Sequence, residues 1–104
     1  MKIKTINIAK DFSKYPYGRL RQYSETSGEV FRQDKLLPTL DQFDQIIIEL
    51  DGTEGYGSSF LDEAFANLIR KDGLDKELVK GKLQFVSDDD PSLIDEINQY
   101  IDEA

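Results

Sequence analysis

Three consecutive isoleucines, Ile46-Ile47-Ile48, lie within residues 45–50 of this 104-residue chain and restrict its fold more than any other feature. β-branched side chains lose freedom in a helix and pack well on a pleated surface, so the run reads as a strand. Because it does not alternate with polar residues, it is expected to be buried on both faces, as a central strand between helices is. Residues 59–71 then place Phe60, Leu61, Ala64, Phe65, Leu68 and Ile69 at helical spacing, with Asp62, Glu63, Asn67, Arg70 and Lys71 opposite and Gly73 as the stop. Residues 2–8 and 82–87 read as further strands, 77–79 as a helical turn, and 91–102 as a last helix with Leu93, Ile94, Ile97 and Ile101 on its apolar face. Strands alternating with helices predict one α/β domain over residues 1–104, with a mixed or parallel sheet of about four strands flanked by helices.

Between the first strand and Gly28 the chain carries turn chemistry, Tyr15-Pro16-Tyr17-Gly18 and Glu25-Thr26-Ser27-Gly28, around a segment 19–23 that suits either a short strand or an ordered loop. Thr26 or Ser27 is placed to cap a helix starting near Gly28, with Glu29 completing a Thr-x-x-Glu box and Val30, Phe31, Leu37 and Leu40 on one face. Pro38 predicts a break or a second short helix, since it removes a backbone donor.

Composition narrows the chemistry. With no cysteine and no histidine there is no thiolate nucleophile, no Ser-His-Asp triad and no soft-ligand zinc site. No apolar run is long enough to span a bilayer and no signal-peptide pattern opens the chain, so a cytoplasmic protein with no membrane partner is expected. Residues 1–42 hold eight Lys and Arg against five Asp and Glu, a balance of +3, whereas residues 43–104 hold five against sixteen, a balance of −11. A total of −8 disfavours direct binding to nucleic acid, which requires a basic face.

The segment 52–64, Gly-Thr-Glu-Gly-Tyr-Gly-Ser-Ser-Phe-Leu-Asp-Glu-Ala, joins the isoleucine strand to the helix at 59–71 through three glycines. Its two serines fall where exposed N–H groups and the helix dipole favour an anion, bound or covalently attached. The ordinary reading is capping, with Ser59 and Asp62 forming a Ser-x-x-Asp pair. The functional reading is phosphorylation of Ser58 or Ser59, which adds roughly −1.5 to −2 charges at a docking face.

The combination Gly18-Arg19, Ser27-Gly28-Glu29-x-Phe31-Arg32 and Leu37-Pro38, followed by the apolar strand and Gly57-Ser58-Ser59-Phe60-Leu61-Asp62-Glu63-Ala64-Phe65, resembles a STAS-like domain family of unknown function from bacteria and phages. That resemblance implies the fold of the anti-anti-sigma factors, which bind a histidine-kinase-like ATPase and are switched off by phosphorylation of a serine at a helix start. Their Asp-Ser-Ser-Gly signature falls here on Gly57-Ser58-Ser59-Phe60, so Ser58 takes the acceptor position while Gly57 and Phe60 depart from the pattern.

The resulting expectation is a non-enzymatic regulatory module with no cofactor. Its protein partner, a histidine-kinase-like ATPase or other signalling protein, docks through Arg19, Arg21, Glu29, Arg32, Tyr56, Gly57, Ser58 and Asp62. One alternative is a small phosphate- or nucleotide-binding protein or enzyme using Arg19, Arg32, Asp51 and Ser58; another is an acidic phage or mobile-element inhibitor that occludes a basic partner. Asp51, Glu54 and Asp88–Asp90 are arranged for Mg²⁺ only if the sheet edge gathers them, and turn and helix-start chemistry explains the aspartate run without a metal.

Overall fold

A computed structural model describes all residues, 1–104. Strands β1 (Ile3–Asn7), β2 (Gln45–Glu49) and β3 (Leu83–Val86) form one parallel sheet in the order β1-β2-β3, so the sheet has three strands where about four were expected. Segment 19–23 contributes none, because it turns back on itself: the N–H groups of Tyr23 and Ser24 both donate to the carbonyl of Leu20. The helices are α1 (Ile8–Asp11), α2 (residues 28–40), α3 (residues 58–70), α4 (Lys76–Lys82) and α5 (Ser92–Glu103).

The register aligns Thr5 with Ile47 and Gln84, and Ile6 with Ile48 and Phe85. Side chains alternate across a sheet, and burial follows that alternation: Ile6, Ile46, Ile48 and Leu83 are buried, while Thr5 and Gln84 are exposed and Ile47 is half-buried. The isoleucine strand is therefore covered on one face and open on the other, which corrects the expectation of burial on both. Connections that step in one direction across a parallel sheet, each right-handed, place their helices on the same side. Phe31 sits in that covered layer between Phe60 and Phe65, its ring centroid 6.0 Å from each.

Helix α2 runs through Pro38 instead of breaking before it. Its middle, Phe31–Leu36, is π-helical, with the Leu37 N–H donating to the Arg32 carbonyl five residues back. The wider turn spaces the inward positions as Phe31, Leu36 and Leu40, leaving Val30 and Leu37 only half-buried. Ser27 is its N-cap, accepting from the Val30 N–H at 3.2 Å. Glu29 does not close a box with Thr26; its carboxylate takes the N–H of Arg21 at 2.8 Å.

Gly28 lets α2 and α3 touch. A Cβ at this position would lie 2.5 Å from the Phe60 carbonyl oxygen and 2.9 Å from the Glu63 Cβ. Helix α3 carries its own π-helical stretch, Asp62–Ala66, so each of the two helices has a widened turn near their contact.

Candidate functional site

Helix α3 begins directly after the loop that leaves β2. Gly57, not a serine, is its N-cap, with extended backbone and no side-chain bond to the first turn. Ser58 and Ser59 are the first two helical residues and both are exposed. The Ser59–Asp62 capping pair does not form, because Ser59 already lies inside the helix, where its hydroxyl cannot reach the first-turn N–H groups as an N-cap would. The Asp62 carboxylate is engaged elsewhere, by Arg19 at 2.9 Å and by Arg70.

Ser58 and Asp62 are one turn apart on a shared helix face, so Arg19 and Arg70 are held within a turn of Ser58. From the other side α5 supplies Tyr100, whose hydroxyl donates to Glu96 at 2.7 Å. Ser58 favours ionisation of that phenol, but Glu96 and partial burial outweigh it and hold its pKa above the usual value. Arg70, Glu96 and Tyr100 were not singled out in the sequence; Arg70, eight residues from Asp62 on one helix, carried the only visible hint.

Four of the expected docking residues meet at this helix start: Arg19, Gly57, Ser58 and Asp62. Tyr56 precedes them half-buried, its hydroxyl donating to the Leu50 carbonyl at 2.7 Å and its pKa pushed up to about 12 by burial. Arg21 and Glu29 form a separate cluster, where the Arg21 guanidinium binds Asp34 at 2.8 Å.

Arg32 is not available to a partner. It is 1% exposed and sits between helices, its guanidinium on Glu63 at 2.8 Å and Asp72 at 2.7 Å, with Nε donating to the Glu63 carbonyl at 3.1 Å. Glu63 and Asn67, expected on the solvent face of α3, are likewise buried. Burial raises the Glu63 pKa, but the adjacent Asn67 side chain, the hydrogen bond from Arg32 and the nearby positive charges of Lys71 and Arg32 more than offset it, so the carboxyl lies below the usual range. Its Oε1 has no hydrogen bond and lies 3.7 Å from the Arg19 guanidinium.

Asp51 follows β2 at the edge where open α/β sheets bind ligands. Its carboxylate accepts the N–H groups of Asp88 and Asp89 at 2.9 Å and is held below its usual pKa by those bonds. It therefore ties the β2 and β3 loops together. Beside it lies a cavity of about 310 Å³ lined by residues that include Asp51, Thr53, Tyr56, Ser87, Asp90 and Leu93. The set Arg19, Arg32, Asp51 and Ser58 is thus not a single site: Arg32 is sealed between helices and Asp51 holds a loop.

The family described as STAS-like domain of unknown function (DUF4325) matches residues 27–93. The chain belongs to this family. The match takes in both segments that meet at Gly28 and Arg32, together with Ser58 and Ser59. No curated protein and no solved structure matches the chain. No helix of this STAS-like domain is long and apolar enough to cross a membrane.

Proposed function

We propose that the chain is a non-enzymatic, cytoplasmic regulatory module that docks onto a signalling protein through the start of α3 and is switched by phosphorylation of Ser58. The observation that carries this reading is that both serines at the helix start are exposed and neither caps the helix. Capping would have explained their presence; Gly57 in the cap position leaves that explanation without a hydroxyl to rest on. A helix start without a side-chain cap presents N–H groups and the positive end of the dipole, so a phosphate there is electrostatically tolerated.

The phosphate would stand one turn from Asp62 and near Glu96, on a face where Arg19 and Arg70 already pair with Asp62. A partner that meets this face closely would be excluded by the bulk and charge of the phosphate. The family likeness to anti-anti-sigma factors points to a histidine-kinase-like ATPase as the partner class. Affinity capture from the native cell, with the wild type, Ser58→Ala and Ser58→Asp side by side, tests the proposal. The wild type and the alanine variant should retain an ATPase or sigma-pathway protein that the aspartate variant loses. Recovery of the chain alone, or equal capture by all three, would sink it.

A further inference from the structure

The β1 edge of the sheet has no neighbour beyond β2 on the other side. The Lys2 carbonyl accepts the Gln45 N–H at 3.3 Å. In a parallel ladder that phase assigns the even-numbered residues of β1 to β2 and turns the backbone groups of Ile3, Thr5 and Asn7 outward. At Asn7 the outward N–H is taken by the Asp11 carboxylate at 2.8 Å. Ile3 and Thr5, both exposed, keep theirs, so the edge offers two donors and two acceptors to an added strand.

Along the same edge a groove of about 260 Å³ runs between β1 and α2, lined by Lys4, Ile6, Asp11, Lys35 and Thr39. Neither lysine takes part in an ion pair. The groove's one carboxylate, Asp11, is bound to Asn7, and the Thr39 hydroxyl donates to the Lys35 carbonyl at 2.7 Å. In a chain of net charge −8 this edge is locally basic.

Charge selects the occupant. A second copy would pair antiparallel through the same free groups, Ile3 against Thr5 and Thr5 against Ile3, and this register sets Lys4 directly across from its own counterpart. Like charges opposed across a strand pair are unfavourable, whereas opposite charges there are favourable. Lysine on an edge strand discourages self-association in the same way.

We propose that the β1 edge is a docking site for an extended segment of another protein, which adds a fourth strand and places an aspartate or glutamate opposite Lys4, in the groove between Lys4 and Lys35. Backbone bonds to Ile3 and Thr5 supply the attachment and the two lysines supply selectivity, the division of labour seen when peptides extend sheets. This surface is separate from the helix start at Ser58 and does not depend on its phosphorylation.

The test uses the full chain, labelled with ¹⁵N, and two capped heptapeptides of alternating valine and threonine that differ only in a central glutamate or lysine. The glutamate peptide should shift the Ile3 and Thr5 amides and slow their hydrogen exchange by at least about threefold relative to the lysine peptide. Lys4→Glu, at an exposed position, should reverse the preference, and Ser58→Asp should leave it unchanged. Equal effects of the two peptides, or no protection of either amide, would overturn the proposal. So would a concentration-dependent dimer in sedimentation that protects Ile3 and Thr5 without peptide, since the occupant would then be a second copy.

Discussion

Removing the carboxylate of Glu63 should unlock the contact between α2 and α3. Arg32 is 1% exposed and Glu63 fully buried, and they share one guanidinium–carboxylate bond at 2.8 Å plus the Nε bond to the Glu63 carbonyl. Breaking a buried pair by deleting one partner costs about 3–5 kcal/mol, and the lower end applies here because Asp72 still pairs with Arg32 and Lys71 with Glu63. A domain of this size has only about 5–15 kcal/mol of stability in all. Glu63→Ala and Arg32→Ala should therefore each lower the thermal midpoint by at least about 12 °C, at about 4 °C or more per kcal/mol. Arg32→Met combined with Glu63→Leu should cost less than either alanine variant, because both buried charges leave together and the Asp72 carboxylate, 23% exposed, is reached by water. Acid adds an independent readout. The folded-state pKa of Glu63 is depressed, so its contribution is fully present above the unfolded value of about 4.3 and is lost as pH falls through the lower folded value. Denaturant melts between pH 7 and pH 3 should show stability falling on the acid side in the wild type, and a shallower fall in Glu63→Gln. The reasoning is refuted if the single alanine variants lose under about 1 kcal/mol, or if a double-mutant cycle finds no coupling between the two positions.

Gly28→Ala drives a Cβ to 2.5 Å from a backbone oxygen and should cost about 1–3 kcal/mol or more in urea melts, whereas Gly81→Ala, which meets nothing within 4 Å inside α4, should be neutral or stabilise by up to about 1 kcal/mol. Ser27→Ala removes a buried cap and should cost about 1 kcal/mol, while Ser59→Ala should stay within about 0.5 kcal/mol, a contrast that calorimetry can measure. Gly57→Asp supplies the missing capping oxygen, so it should raise stability by a few tenths of a kcal/mol; any accompanying gain in phosphorylation of Ser58, followed by intact mass, would show that the kinase reads the residue before the serine.

The order of the three strands and of the four longer helices was legible because it rests on local periodicity, whereas the single turn Ile8–Asp11 after β1 was not. Less legible was anything that depends on helical phase or on which sheet face is covered. Arg32 stands four residues before Leu36 and eight before Leu40, and both leucines are buried, so its inward position was encoded. The widened turn at Phe31–Leu36 obscured it, since the phase counted from Val30 and Phe31 pointed to Leu37 instead. Glu63 was missed for the complementary reason: a charge on the apolar stripe looks misplaced until its partner on another helix is known. Ile47 looked doubly buried because a β-branched run carries no mark of which face lacks a cover.

The two segments that carry the family likeness differ in what the fold needs from them. In the string from Ser58 to Phe65, the side chains of Phe60, Leu61, Glu63, Ala64 and Phe65 are fully buried, and Gly28 and Arg32 on the facing helix are shaped to receive them. Packing accounts for those residues, and a likeness through them reports the fold. Packing does not account for Ser58 and Ser59, which are exposed at a helix start whose cap position is held by glycine. Replacing both by alanine should leave the folded state near wild-type stability, within about 0.5 kcal/mol per site. If it does, whatever the pair contributes is exercised on another molecule.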